Sequence, residues 1–350
     1  MTSATRFTSV ERTLHRIWVD TLGHASFGLN DEFSAVGGDH ESAAAMWRLV
    51  RRRFGCDISP DTGGEPLTIG ALGLILRGSA TPTENRALVR LRPGHGDEYP
   101  SLYCFHPLGG SIARYADLVD MLDDRLPVHG LQSVGLAPGY EPDRTINEMA
   151  TRYAAEIAPT APNGPIVLLG YSLGGTLAFE TARQLRARFR YPIHIVMVDV
   201  TPSFTPTDAA ATAYDALANS ALGIGLDVAP LIGLARDEAL RRIRAEAAGQ
   251  GILPANFSLD RLRKFAEVCE INGSAADAYI PRYLGGDLTL FRSSGHIGEP
   301  DDLGWGGYVD HVTTHVLDGD HHQIMETEGL AVIAGELESS ILARGLCHAA

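Results

Sequence analysis

Apolar residues recur at helical spacing over the first 80 residues. The segment SVERTLHRIWVDTLG carries them on one face, with Ser9 as N-cap and Gly23 as helix stop. The segment DHESAAAMWRLVRRRFG, from Asp39 to Gly55, predicts a second helix, and TIGALGLILRG predicts a short last one. Three or four short helices in so short a stretch indicate a small helical bundle over residues 1–80.

The pattern changes after the polar segment SATPTEN at 79–85, which we interpret as a linker. Short apolar or β-branched runs now alternate with helical stretches, which indicates an α/β domain with a mostly parallel sheet. We assign the linker and first-strand region to residues 81–97 and this domain to residues 98–350. The predicted strands are ALVRLR, SLYCFH, PVHGLQ, PIVLLG, IHIVMVDV, DLTLFR and VTTHVLD.

A largely helical segment at about 203–285 interrupts this alternation. It contains the helical patterns DEALRRIRAEAAG and SLDRLRKFAEVCEI between two predicted strands. An insertion of this size is a candidate lid or substrate-binding subdomain.

Composition narrows the classes of function. The 29 basic and 43 acidic residues give a net charge of −14 without a basic stripe, so we expect no nucleic-acid partner. No apolar run approaches the ~20 residues that cross a bilayer, and charges interrupt the N-terminal segment, so we expect neither a membrane partner nor secretion. The scattered cysteines Cys56, Cys104, Cys269 and Cys347 predict free thiols in the cytoplasm.

The strongest chemical signal is Gly170-Tyr171-Ser172-Leu173-Gly174. An apolar strand runs into it and a helical pattern follows, which is the setting that a G-x-S-x-G nucleophile elbow requires. The turn would expose the Ser172 hydroxyl at the head of a helix, where the dipole favours developing negative charge. A chance match in a glycine-rich chain is the alternative, and the flanking strand and helix argue against it.

A serine nucleophile needs a base, which lies downstream in α/β-hydrolases. His321 follows a predicted strand and a glycine turn, so we expect it at the carboxyl edge of the sheet, with His322 as the alternative. His194 lies inside a strand and is interpreted as structural. His311 and His315 would share a strand face, but no nearby cysteine or carboxylate completes a set of ligands, so we expect no metal.

The base in turn needs an orienting carboxylate. Asp199 ends the strand after that of the nucleophile and is the favoured acid. Asp301 and Asp302, in the loop after DLTLFR, are the alternatives. An oxyanion hole needs two backbone donors, for which we predict the N–H groups of Leu173 and of Leu108 in the glycine-containing segment HPLGG.

Five segments in the same order resemble the type I thioesterase domains of nonribosomal peptide synthetases over nearly all of residues 86–345. They are LYCFHPLGGSIARYADL, HGLQSVGL, NGPIVLLGYSLGGTLAFETARQL, MVDVTPS and GWGGYVDHVTTHVLDGDHHQIM. The resemblance implies an α/β-hydrolase fold with a mobile helical lid at the insertion. It also supports Asp199 as the acid and His321 as the base.

The first 80 residues are similar to a carrier-protein (thiolation) domain, through RIWVDTLG, GLNDEFSAVGGDHESAAAM and PLTIGALGLIL. In that family the residue after Gly-Gly-x is a serine that carries 4′-phosphopantetheine. His40 occupies this position, and Ser42 lies about 200° further around the helix. We therefore predict no cofactor on this chain. The replacement is either deliberate or the mark of a natural pseudo-carrier that serves as a docking platform.

The resemblance implies a terminal thioesterase that releases a peptidyl chain from a carrier-bound thioester. The acyl group would pass through Ser172 to water or, by macrocyclisation, to a nucleophile within the peptide. Expected partners are upstream synthetase modules or a separate carrier with its phosphopantetheine arm, and we expect a monomer. Two other interpretations remain: a stand-alone serine esterase or lipase with a helical appendage, and a non-catalytic docking protein. The stretch ALGIGLDVAPLIGL indicates an apolar lid face, which favours a hydrophobic acyl chain. A lid packed on a core would have the same apolar pattern.

Overall fold

A computed structural model describes residues 9–54, 67–78, 86–94, 99–136, 139–161, 164–187, 189–190, 192–203 and 208–345. The predicted linker segment at 79–85 lies outside these residues. Before it, three helices are described: α1 (Ser9–Leu22), α2 (His40–Phe54) and α3 (Ile69–Gly78). Asp39 begins α2 as predicted, because its carboxylate accepts the N–H of Ser42 at 2.8 Å.

A seven-stranded sheet forms the centre of the remaining chain, in the order β1-β3-β2-β4-β5-β6-β7. Only β1 runs antiparallel, so the predicted, mostly parallel sheet is confirmed. All seven predicted strands are present: β1 (Leu88–Arg92), β2 (Ser101–Phe105), β3 (Val128–Leu131), β4 (Ile166–Tyr171), β5 (Ile193–Val198), β6 (Asp287–Ser293) and β7 (His311–Leu317).

Helices cover both faces of the sheet, because the buried central strands present apolar side chains alternately to each side. One face packs on α5 (Ile146–Ile157) and α6 (Leu173–Arg186). The other packs on α4 (Ala116–Met121) and α10 (Thr327–Gly345). This layered architecture is consistent with the α/β-hydrolase fold.

The predicted helical insertion lies between β5 and β6. It contains α7 (Ala209–Asp215), a π-helical turn at Ala216–Ala221, α8 (Arg236–Gly249) and α9 (Leu259–Asp277). Its apolar residues and those of the N-terminal helices belong to one hydrophobic core. Gly70 at the start of α3 shows how close the two are, since a Cβ there would lie 1.8 Å from the carbonyl oxygen of Ile252.

Polar contacts also fix the N-terminal helices to the sheet domain. The Thr13 hydroxyl donates to the buried carboxylate of Asp117 at 2.7 Å, and the Ser111 hydroxyl donates to the carbonyl oxygen of Leu76 at 2.8 Å. Arg12 pairs with Glu326 at 2.9 Å on the rim of the same interface. The interface therefore combines an apolar core with a buried, charge-assisted hydrogen bond.

The sequence also predicted free cysteines and no membrane-spanning segment. Cys104 and Cys269 are free and buried, and burial raises the pKa of both thiols. Cys56 and Cys347 lie outside the described residues. Within the part of the chain that the structure describes, no helix combines the length and apolar character of a membrane span.

Candidate active site

Ser172 lies at a sharp turn between the end of β4 and the start of α6. Its backbone is in the left-handed region, with φ 55° and ψ −131°, a conformation that costs a non-glycine residue about 1–3 kcal/mol. The flanking glycines are required by close approach. A Cβ on Gly170 would lie 2.0 Å from the backbone of Gly174, and one on Gly174 would lie 2.4 Å from the carbonyl oxygen of Phe105.

Asp199 and His321 meet at the same edge of the sheet. Asp199 follows β5, whose strand pairs with β4, and His321 follows β7. The Asp199 Oδ2 atom lies 2.7 Å from the His321 Nδ1 atom. Because a carboxylate only accepts, Nδ1 carries the proton, and the basic nitrogen of the neutral ring is Nε2.

The Asp199 carboxylate is fully buried and anchored by backbone. The N–H of Ser293 at the end of β6 donates to Oδ1 at 2.6 Å. Burial alone would raise the pKa of Asp199, but the hydrogen bonds from His321 and Ser293 and the nearby imidazoles outweigh it and lower this pKa below its usual value. Asp199 is therefore ionised at neutral pH. Its own φ of 51° is the second strained backbone among the predicted site residues.

Tyr171, the residue directly before the serine, orients the histidine. Its ring stacks on the His321 ring with centroids 4.8 Å apart, and its hydroxyl donates to the His321 carbonyl oxygen at 2.9 Å. The Tyr171 N–H in turn donates to the Tyr115 hydroxyl, which donates to the Phe105 carbonyl oxygen at 2.7 Å. The ends of β2 and β4 and the histidine loop are thus held together.

The alternative acids lie elsewhere. The Asp301 side chain is 98% exposed and pairs with Arg292 at 3.6 Å. The Asp302 carboxylate accepts the N–H groups of Gly304 and Gly306 and so caps its own turn. Among the residues that the structure describes, neither carboxylate is bonded to a histidine.

The other histidines are also placed. His322 lies 3.4 Å from the Tyr171 hydroxyl, without a bond to Asp199, and burial lowers its pKa. His194 is within β5, while His311 and His315 are within β7. Among the residues that the structure describes, no three histidine, cysteine or carboxylate side chains form a metal-binding group.

The loop at 106–111, after β2, places Leu108 in the wall of the same cavity as Ser172. His106 is buried, and burial lowers its pKa to about 4, so the ring is neutral. Its Nδ1 donates to the Pro107 carbonyl oxygen at 2.8 Å, and its Nε2 accepts from the Tyr153 hydroxyl at 2.7 Å. From α9, the Asn272 amide donates to the Leu108 carbonyl oxygen at 2.7 Å.

These positioning contacts were not predicted from sequence. The histidine in HPLGG is a visible signal, because a polar residue that directly follows an apolar strand lies at the edge of the sheet. No signal identifies Asn272, since its role depends on how α9 packs over the 106–111 loop. Leu173, the other predicted donor, is buried as the first residue of α6, where amide groups lack intrahelical acceptors.

A cavity of about 220 Å³ opens above the serine. Its lining combines Ser172, His321 and Leu108 from the sheet domain with Thr212 and Phe265 from the insertion. Its wall is mostly apolar but includes the charged residues Arg114 and Asp215. The Arg114 guanidinium lies over the Tyr171 ring, 5.5 Å from its centroid.

The position predicted for a cofactor serine is at the start of α2. His40 is its first residue and is exposed. The Ser42 hydroxyl is bound to the Asp39 carboxylate at 2.7 Å, and these bonds lower the pKa of Asp39. Ser42 is thus engaged in the helix cap.

Residues 100–341 match the thioesterase domain family. The dimodular nonribosomal peptide synthase of Bacillus subtilis (strain 168) is 29% identical over 336 residues, which cover 93% of this chain and 14% of the synthase. Malpinin synthetase of Mortierella alpina is 28% identical over 350 residues, which cover 97% of this chain and 4% of the synthetase. The chain therefore spans a small part of the length of these relatives.

Two solved structures are also similar. The four-domain nonribosomal peptide synthetase holo-AB3403, bound to AMP and glycine, matches 97% of this chain and 26% of its own with a TM-score of 0.70 and 27% identity. The Vlm2 thioesterase domain matches 72% of this chain and 96% of its own with a TM-score of 0.56 and 26% identity. One match thus extends through the N-terminal helices, and the other covers a separate thioesterase domain.

Proposed function

The chain belongs to the thioesterase domain family, and from this premise we propose that it releases a peptidyl chain from a carrier-bound thioester. Ser172 is the proposed nucleophile, His321 the base and Asp199 the orienting acid. One observation carries the assignment: the serine and the histidine line one cavity, and the buried carboxylate holds the histidine at 2.7 Å. The similarity to nonribosomal peptide synthetases supports a peptidyl substrate.

In the first step, His321 Nε2 takes the Ser172 proton as Oγ attacks the thioester carbonyl carbon. The carbonyl π pair moves to oxygen, where the N–H groups of Leu108 and Leu173 are the proposed donors. Each such donor is typically worth about 3 kcal/mol at the transition state. When the tetrahedral intermediate collapses, the C–S bond breaks and the proton passes from His321 to the departing pantetheine thiolate.

In the second step, His321 takes a proton from water or from an amine or hydroxyl of the peptide, and that nucleophile attacks the acyl-Ser172 carbonyl. Water gives a linear acid, and an internal nucleophile gives a macrocycle. When this second tetrahedral intermediate collapses, the bond between the acyl carbon and the Ser172 oxygen breaks, and the proton passes from His321 to that oxygen. A mostly apolar cavity suits a hydrophobic chain, and the charged side chains of Arg114 and Asp215 give it polar contact points.

We further propose that the N-terminal helices form a carrier-like bundle that holds no arm of its own. His40 lacks the hydroxyl to which phosphopantetheine is attached, and Ser42 is engaged in the cap of α2. The arm would then come from upstream modules or from a separate carrier, as substrate of the cavity. The core that the bundle shares with the insertion supports a docked role for it.

Intact-mass spectrometry with an acyl-pantetheine thioester tests the proposal. We expect a transient acyl adduct on Ser172, followed by acid or macrocycle, and neither product with Ser172→Ala. Labelling by a fluorophosphonate separates the enzyme from an inert docking protein, which would not react. Equal turnover of simple esters and carrier-bound thioesters would instead favour a stand-alone esterase.

A further inference from the structure

A second imidazole contacts the Asp199 carboxylate. His296, in the loop after β6, places its Nε2 3.1 Å from Asp199 Oδ1, while His321 Nδ1 lies 2.7 Å from Oδ2. Each oxygen of this buried carboxylate therefore faces a different histidine. The role assigned to Asp199 above needs only the contact with His321.

The surroundings of His296 favour its protonated form. Its other ring nitrogen, Nδ1, lies 3.0 Å from the Glu299 carboxylate. Carboxylates only accept, so both contacts are hydrogen bonds only when His296 is an imidazolium. Burial lowers the pKa of His296, but the Glu299 hydrogen bond and the charge of Asp199 outweigh it and raise that pKa above its usual value.

The position of His296 is fixed by its loop. The Arg292 guanidinium donates to the His296 carbonyl oxygen and to the Pro300 carbonyl oxygen, the latter at 2.9 Å. Arg292 also pairs with the exposed Asp301. The charged groups around the ring are thus Asp199 and Glu299 on its two nitrogens, His321 across the Asp199 carboxylate, and Arg292 behind its backbone.

We propose that His296 is a positioning residue that sets the basicity of His321 through Asp199. As a cation, it holds Oδ1 and shares the negative charge that would otherwise stabilise a protonated His321. Transfer of the Ser172 proton to His321 then continues at lower pH than a simple Ser-His-Asp arrangement would permit. This inference rests on the proposed roles of Ser172 and His321.

The pH dependence of Ser172 reactivity tests it. We expect His296→Gln, which keeps a polar side chain but removes the cation, to move the acidic limb of the fluorophosphonate inactivation rate upward by about one pH unit. Glu299→Gln, which weakens the hold on the His296 proton, should move the limb in the same direction and by less. The exposed His311 on β7 supplies a matched control, His311→Gln, whose profile should superimpose on that of the parent.

Two other results are informative. If His296→Gln slows inactivation at every pH without moving the limb, the residue only fastens its loop and the inference is overturned. If Ser172→Ala is labelled as fast as the parent, the proposed function fails as well, so the two failures are distinguishable. Histidine NMR gives a second measure, in which the His296 ring should remain protonated to a higher pH in the folded protein than in the urea-unfolded protein.

Discussion

The side-chain amide of Asn272 on α9 donates to the carbonyl oxygen of Leu108 across 164 residues of chain, at 2.7 Å. A helix of the insertion is thereby bonded to the peptide that neighbours the proposed oxyanion donor. Asn272 is completely buried, so the bond is shielded from water.

We expect Asn272→Ala to lower kcat for thioester release by about tenfold. This is less than the 10²–10³-fold effect of removing an oxyanion donor outright, since the 106–111 loop keeps its His106 anchors. Gln250→Ala is the matched control, because that amide donates to the Ile224 carbonyl at 3.0 Å in the same insertion but away from the cavity. A folded Asn272→Ala protein with unchanged kcat would contradict the positioning role.

Asp199→Asn should lower kcat by about 10⁴-fold while leaving the fold intact, because an amide cannot hold His321 in its reactive tautomer. Steady-state kinetics with an acyl-pantetheine thioester measures this. Asp301→Asn provides the comparison, and we expect less than a twofold change since the exposed Asp301 carboxylate belongs to a surface ion pair. A larger loss of kcat in Asp301→Asn than in Asp199→Asn would instead identify Asp301 as the orienting acid.

Incubation with coenzyme A and a broad phosphopantetheinyl transferase should leave the mass of the parent protein unchanged. His40→Ser restores a hydroxyl at the head of α2 and should gain one phosphopantetheine group. Ser42→Ala should behave as the parent does. A mass gain in the parent that disappears in Ser42→Ala would show that the chain carries its own arm.

The free energy of unfolding should fall as the pH drops from about 6.5 towards 4. His106 is neutral in the fold, with a pKa of about 4, but binds a proton near pH 6.5 when unfolded, so stability present above pH 6.5 is lost on acidification. The limit is about 1.4 kcal/mol per pH unit for one histidine. His129, whose pKa burial also lowers to about 4, remains in both proteins when the parent is compared with His106→Gln.

Urea unfolding at several pH values measures that comparison. The variant should show a shallower fall between pH 6.5 and 4.5 than the parent, whatever its stability at pH 7. Parallel curves would mean that His106 is protonated in the fold or that its bonds to Pro107 and Tyr153 tolerate the charge.

Thr13→Val should destabilise the protein by about 1–3 kcal/mol, because it removes a hydroxyl that donates to the buried Asp117 carboxylate. Denaturant unfolding gives the value. Thr151→Val removes an exposed hydroxyl that bonds the Asn147 carbonyl, and we expect it to cost less than 1 kcal/mol. Equal effects would indicate that the contact between α1 and α4 adds little stability.

The pattern of apolar and glycine residues along the chain was sufficient to predict much of the fold. Each strand has a β-branched or apolar run of its own, and Gly170 and Gly174 mark a turn that only glycines permit, so both could be predicted from neighbouring residues. The meeting of Asp199 and His321 at one edge followed from their places after strands of a parallel sheet. These features depend on short-range sequence and on topology.

Contacts that depend on packing between distant segments were not predicted. His296 has an ordinary loop sequence around it, and its contact with Asp199 exists because β5 and β6 are neighbours and the loop folds back. The sequence predicts only that Asn272 is a polar residue on an amphipathic helix. Its bond to Leu108 depends on the packing of α9 over the 106–111 loop. Such roles arise from tertiary geometry that periodicity does not encode.

A domain that carries a substrate between sites has to detach from its neighbour and return to it in each cycle. In this chain the contact of α3 with α9 makes detachment of the N-terminal helices unfavourable. Detachment of the N-terminal helices would expose apolar side chains to water at ~25 cal/mol per Å². It would also break the bond from Ser111, in the cavity wall, to Leu76 of α3. On the proposal that these helices form a carrier-like bundle without an arm, delivery of the acyl chain is left to another molecule or to a tethered segment. The rate of product release would then depend on the local concentration of the molecule or segment that delivers the acyl chain. A tether can raise that concentration to the millimolar range.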